Sequence, residues 1–281
     1  MKRLITIWVF LAAAFSTQSQ HLNVMTFNIR MNTPNDSLNA WPYRKDLAAS
    51  QILFHRVHSV GLQEALPEQM KDLAERLKGY KHVGVGRTDG KNKGEHSAIF
   101  YDTSRLEVRN SGTFWLSETP EKAGSKGWDA SLPRIVTWAE FFDKASGKTF
   151  WHFNTHFDHK GEVARRESSK LLMAKVKEMA GDTPAIITGD FNATPNEEPI
   201  RLLLTADDSL RFTDSKEVSL RPHYGPIGTF NGFTNKETTN EPIDFIFIRN
   251  NVKVLQHASL SQTWGGRYSS DHFPVYAEIE L

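Results

Sequence analysis

The chain has 281 residues, 39% of them hydrophobic and 24% charged, with no cysteine and a formal net charge of +1. That composition is globular: it excludes a disordered, fibrous or polytopic membrane protein and leaves enough chain for one large core or two small ones. Without cysteine there is neither a disulfide framework nor a thiol to carry a lipid anchor.

The first twenty residues, MKRLITIWVFLAAAFSTQSQ, set Lys2 and Arg3 before an apolar stretch from Leu4 to Phe15, followed by small polar residues. This is the layout of a secretory signal peptide, too short for a comfortable membrane span. A buried N-terminal helix or a membrane anchor is the alternative. Cleavage is expected near Ser19 or Gln20, which makes residues 21–281 a periplasmic or secreted domain. It removes two basic groups and no acidic one, so the formal charge falls from +1 to −1. No strong electrostatic footprint for nucleic acid remains.

LNVMTFNIR (22–30) alternates apolar and polar residues and reads as the first strand. A helix is expected over about 41–56, with Pro42 in its first turn. SVGLQE (59–64) is a short strand, and LPEQMKDLAERLKG an amphipathic helix closed by Gly79. Strands follow at KHVGVG, SAIFYD, LEVRNSGTFWLS and IVTWAEFFD, the last two separated by a loop rich in Gly, Ser and Lys over 122–128. Then come TFWHFNTHF, a helix over about 162–180, AIITGDFN, a short helix near 199–204, PIDFIFIRN, VKVLQHASL and FPVYAEIEL. The most basic stretch, ARRESSKLLMAKVK, carries Leu171, Leu172 and Val176 at helical spacing, with Met179 just beyond it, so its charges read as a solvated face. With no linker or internal repeat, the pattern implies one α/β domain of sheets covered by helices.

Several predicted strands end in the same chemistry: Asn28; Glu64; Asn154, His156, Asp158 and His159; Asp190 and Asn192; Asp244; and Asp271 with His272. Any one of these alone is an ordinary turn or solvated residue. Together they matter more, because ligand sites in layered α/β proteins gather where strand ends converge. Oxygen-rich side chains without thiols suit a hard cation such as Mg²⁺, Mn²⁺ or Ca²⁺. No HExxH pair, glycine-rich phosphate loop or GxSxG elbow supports a zinc protease, a P-loop enzyme or a serine hydrolase.

In order from residue 26 to 275, TFNIR, GLQE, NTHFDH, GDFN, IDFIF and SDHFPV resemble the motifs of the endonuclease/exonuclease/phosphatase superfamily, the deoxyribonuclease-I-like fold. The resemblance implies a four-layer α/β sandwich of two packed mixed β-sheets flanked by helices, with a Mg²⁺-dependent phosphoester hydrolase site at one edge. It makes Glu64 the principal metal ligand, with Asn28 and Asp271 beside it and Mn²⁺ as a possible substitute. His272 becomes the general base or acid, oriented by Asp244. Asp190 and Asn192 position the attacking water and the phosphoryl oxygens, and His156 donates to the phosphate. The chemistry suits these residue types: developing negative charge calls for a cation and neutral donors, and a histidine backed by a carboxylate has a fixed tautomer.

Arg134 is either a second cation on the substrate phosphate or a surface residue at a strand start. His159 either contacts substrate or ends its strand. Where the family often has an acidic residue before the glutamate, this chain has His58 and Ser59. The expected substrate is a small phosphoester, a phosphorylated sugar or lipid headgroup, hydrolysed by a monomer as a phosphodiesterase or phosphomonoesterase. A secreted nonspecific nuclease and an inactive binding module are the alternatives; nucleic acid is disfavoured by the charge.

Overall fold

The computed structural model describes residues 21–234 and 241–281, so the expected signal peptide lies outside the described residues. The first strand, β1 (Leu22–Asn28), shows why its sequence alternates. Met25 and Phe27 enter a cluster beneath the first two helices, whereas Leu22 and Val24 enter a cluster between two sheets. Thr26 and Asn28 share that second face and are fully buried. The alternation therefore separates two interiors, not an interior from water.

The helix expected over 41–56 is broken. Two short 3₁₀ segments, Pro34–Asn39 and Trp41–Tyr43, precede α1 (Lys45–Phe54), and Pro42 belongs to the second of them. The break places Arg44, whose guanidinium is buried and donates to the carbonyls of Ile29 and Ser269, each at 2.8 Å. Tertiary hydrogen bonding overrides local helix preference there.

After β2 (Ser59–Gln63), α2 (Pro67–Arg76) opens on a proline suited to a first turn. β3 (Tyr80–Val83) and β4 (Ile99–Asp102) are shorter than expected, because residues from Gly84 onward leave the sheet as a loop. β5 (Leu106–Trp115), β6 (Ile135–Asp143) and β7 (Lys148–His156) form an antiparallel run. Then follow α3 (Glu162–Ala180), β8 (Ala185–Asp190), α4 (Glu198–Thr205), β9 (Thr213–Asp214), β10 (Asp244–Arg249), β11 (Lys253–Ser259) and β12 (Val275–Glu280). The two-residue β9 has no counterpart in the sequence expectation. On α3, Leu172 and Val176 face the core as expected, but Arg165 is also buried, donating to the carbonyl of Asp158 at 3.1 Å.

Among the described residues two six-stranded sheets result, in the orders β11-β12-β1-β2-β4-β3 and β5-β6-β7-β8-β10-β9. Clusters under α1 and α2 on one side, and under α3 and α4 on the other, complete a four-layer α/β sandwich. In each sheet a central pair is parallel, β1 with β2 and β7 with β8. Parallel pairing brings C-terminal ends to one edge, with Asn28 opposite Gln63 and His156 opposite Asp190. β10 runs antiparallel to β8 and begins there, with Asp244 opposite Asp190. β12 pairs antiparallel with β1, so Asp271 and His272 arrive at the same edge just before it starts. Below this edge the sheets meet through polar side chains. Gln63 Nε2 donates to Thr26 Oγ1 at 3.0 Å and to Asn154 Oδ1 at 2.7 Å, and Thr188 Oγ1 donates to Asn154 Oδ1 at 2.9 Å.

Candidate active site

The convergent strand ends line a cleft of about 620 Å³. Of the ten residues expected to act in catalysis, metal binding or substrate binding, Glu64, Arg134, His156, His159, Asp190, Asn192, Asp271 and His272 border it. Asn28 and Asp244 lie behind that wall, at 0% and 2% exposure, in contact with residues that border it. All ten are thus gathered in one place, although Arg134 is 4% exposed and is not the surface residue that was one reading of it.

Three side chains leave their strands through left-handed backbone: Arg30 at φ 56°, Glu64 at φ 61° and Asn192 at φ 47°. Non-glycine residues adopt this conformation at a cost and keep it where the surroundings enforce it, typically at functional sites. Here the enforcing bonds are visible. Arg30 N–H donates to Asn28 Oδ1 at 3.0 Å, Met31 N–H to Glu64 Oε2 at 2.9 Å, and Asn192 N–H to Asp190 Oδ1 at 2.9 Å.

One end of the cleft is acidic. Asn28 Nδ2 donates to Glu64 Oε1 at 3.2 Å and to Asp190 Oδ2 at 2.9 Å, tying the two carboxylates together. Arg30 stands 3.9 Å from Glu64 and 3.7 Å from Asp271, but its close partner is Asp36, at 3.0 Å. Burial raises the Asp271 carboxyl, and the nearby Glu64 charge adds to this while His272 and Arg30 oppose it. Two carboxylates at one end of a cleft form a donor set suited to a hard cation.

The centre is a hydrogen-bonded histidine and two aspartates. His272 Nδ1–H donates to Asp244 Oδ2 at 2.8 Å, and Thr229 Oγ1 donates to the same oxygen at 2.6 Å. His272 Nε2 faces Asp190 Oδ2 at 3.9 Å. Burial alone would lower His272, but the charge of Asp244 and its hydrogen bond, with Asp190 and Asp271, hold it well above the ordinary imidazole value. Asp190 is pushed up by burial first and by Asp244 second. Ligand atoms of Asp190, Asp244 and His272 lie within 4.8 Å of one another, a group that could bind a metal. Asp244 Oδ2 and His272 Nδ1 already satisfy each other, however. The trio can therefore also act as an oriented acid-base unit, and the carboxylates of Glu64 and Asp271 could hold a cation.

The opposite end is basic. Asn192 Nδ2 donates to the carbonyl of Phe157 at 3.1 Å, which fixes the amide's orientation, and to His156 Nε2 at 3.0 Å. Burial, with Arg134 and Arg87 nearby, keeps His156 well below its ordinary value and therefore neutral. Arg134 Nε donates to Asp158 Oδ2 at 3.3 Å and Nη2 meets His159 Nδ1 at 3.0 Å, while Nη1 is buried without a partner among the described residues. Asp158, which burial would raise, is instead driven low by backbone N–H groups of Gly161, Ser131 and Lys160 and by Arg134.

Sequence reasoning missed Arg30, Arg87, Glu95, Thr229 and Phe230. Arg30 stands inside a motif already singled out, two residues past Asn28, and could have been found by asking what balances the acidic ends. Arg87 and Glu95 sit in a polar loop with no periodicity, so no pattern marked them.

The fold has close solved relatives. An endonuclease/exonuclease/phosphatase from Bacteroides vulgatus superposes with a TM-score of 0.89 at 42% identity, covering 93% of this chain and 99% of that one. A mannosyl-6-phosphatase from Bacteroides thetaiotaomicron gives 0.88 at 39% identity, covering 92% and 100%. Drosophila melanogaster Nocturnin is 27% identical over 293 residues that take in 88% of this chain and 43% of that protein, so the chain spans less than half of that relative's length. Residues 25–272 match the endonuclease/exonuclease/phosphatase family as a whole, and the chain belongs to it.

Proposed function

We propose that this phosphoesterase is exported and hydrolyses a small phosphorylated molecule, a sugar phosphate or phosphorylated headgroup, with Mg²⁺ or Mn²⁺ at the acidic end of the cleft. The observation that carries the reading is the convergence on Asp190, which Asn28 ties to Glu64 on one side and which faces His272 and His156 on the other, at 3.9 and 3.5 Å. The 39% identity to a mannosyl-6-phosphatase along nearly the whole chain favours a sugar phosphate. Export is read from residues 1–20, and N-terminal sequencing of the mature protein tests it.

Glu64 and Asp271, with Asn28 fixing Glu64 from behind, would hold the cation, whose chemistry is to neutralise phosphoryl oxygens and so favour attack on phosphorus. Asp190 Oδ2 and His272 Nε2 are close enough for one water oxygen to be hydrogen-bonded to both. With Nδ1–H committed to Asp244, His272 can exchange a proton only through Nε2, so the pair aligns the attacking water and moves its proton. His156 and Asn192 bond each other in the free protein. A bound phosphoryl oxygen would compete for that contact, and Arg134 would add a fixed positive charge beside it.

A comparison of kcat/KM for hexose phosphates, phosphorylated headgroups and duplex DNA at near-physiological salt tests the substrate class. Small phosphoesters are expected to be preferred. Preference for DNA by about tenfold, roughly 1.4 kcal/mol of discrimination, would make the protein a nuclease instead.

A further inference from the structure

The loop between β3 and β4 adds a wall to the cleft. Across its two arms, Arg87 Nη1 donates to Glu95 Oε2 at 2.8 Å and Nη2 to Glu95 Oε1 at 2.7 Å. The arms are joined by Arg87 N–H donating to the Glu95 carbonyl and Thr88 N–H to that of Lys93, both at 3.0 Å. The Trp115 indole N–H donates to the Arg87 carbonyl at 2.7 Å and anchors the loop to the second sheet. At its other end, His96 N–H donates at 2.8 Å to the carbonyl of Ala65, the residue after Glu64. The charges of Glu64 and Arg134 both act on the pair.

Both side chains border the cleft, at 10% and 13% exposure. Burial lowers the Arg87 guanidinium and raises the Glu95 carboxyl, so each is held at some cost despite the other. A buried ion pair is often no more stabilising than apolar groups of the same volume, which makes stability a weak reason for this one. Its net charge is zero, and Glu95 would repel a phosphate. Arg134, whose Nη1 has no partner among the described residues, is the better anion contact.

We propose that Arg87 and Glu95 bind hydroxyl groups on the part of the substrate beyond its phosphate, so that the site selects polyhydroxylated phosphoesters such as sugar phosphates; this rests on the hydrolase reading of the same cleft. Neighbouring hydroxyls can donate to the remaining lone pairs of Glu95 and accept from the remaining N–H groups of Arg87. The mutual hydrogen bonds hold both groups in place before substrate arrives, so little ordering is left to be done on binding.

The test is steady-state hydrolysis of a hexose 6-phosphate and of p-nitrophenyl phosphate, with Mg²⁺, by wild type, Glu95→Gln and Arg87→Lys. Both variants should raise KM for the hexose phosphate by about ten- to hundredfold while p-nitrophenyl phosphate, which also serves as the folding control, changes by no more than about twofold. Equal losses on both substrates, or unchanged selectivity, would overturn the assignment. A wild type that turns over p-nitrophenyl phosphate but not the hexose phosphate leaves the hydrolase standing and removes the sugar subsite. One that turns over neither overturns the sugar subsite, and activity on phosphorylated headgroups or DNA then decides whether the hydrolase reading stands.

Discussion

His272 has one ring nitrogen left to work with, because Asp244 takes the other at 2.8 Å. The two residues should therefore behave as a unit. His272→Ala is expected to lower kcat by about 10²- to 10⁴-fold, and the Asp244→Ala/His272→Ala double variant should be close to the single one, because residues acting together are not additive. Losses that multiply would show that they act independently. Away from the cleft, Asp214 is buried, and desolvation pushes it up to about 6. A carboxyl whose folded pKa lies above its unfolded one contributes fully at low pH, and that contribution is lost as pH rises through the folded value. Asp214→Asn should then stabilise the protein at pH 7.5 by no more than about 3 kcal/mol, with the advantage gone near pH 4. Thermal unfolding at the two pH values checks this; a variant less stable than wild type at pH 7.5 contradicts it.

At the scale of elements, legibility followed whether a segment obeys one periodicity. α3 and β6 coincide with their expected spans because each has one buried face and local patterning agrees with the fold. The helix over 41–56 did not, because Arg44 is recruited to carbonyls far away in sequence and no local signal records that. β2 shows the same dependence on a distant partner. A Cβ on Gly61 would lie 2.1 Å from Thr188 Oγ1 and 2.3 Å from Asn154 Oδ1, both on the facing sheet. Gly61→Ala must push the sheets apart or break the polar layer beneath the cleft, costing about 1–3 kcal/mol or more. A denaturation midpoint equal to wild type would show that the sheets are not so closely fitted.

Over the whole molecule, the cleft sets the carboxylates of Glu64 and Asp271 at one end and the Arg134 guanidinium at the other, with Asp190 and His272 between. The net charge gave no hint of this arrangement, whereas the ordered strand-end motifs did, since parallel pairing carries those ends to one edge. Arg87 and Glu95 stayed hidden because a loop's contribution to a site depends on where the sheets fix its ends. We propose that phosphoester hydrolysis by this protein needs a hard cation held at the acidic end of the cleft. Phosphate release from a hexose 6-phosphate by metal-stripped protein, before and after Mg²⁺ is restored, tests it most directly. No release is expected without metal, recovery with it, and no recovery for Glu64→Gln; undiminished release in excess chelator, or a fully active Glu64→Gln, would contradict it.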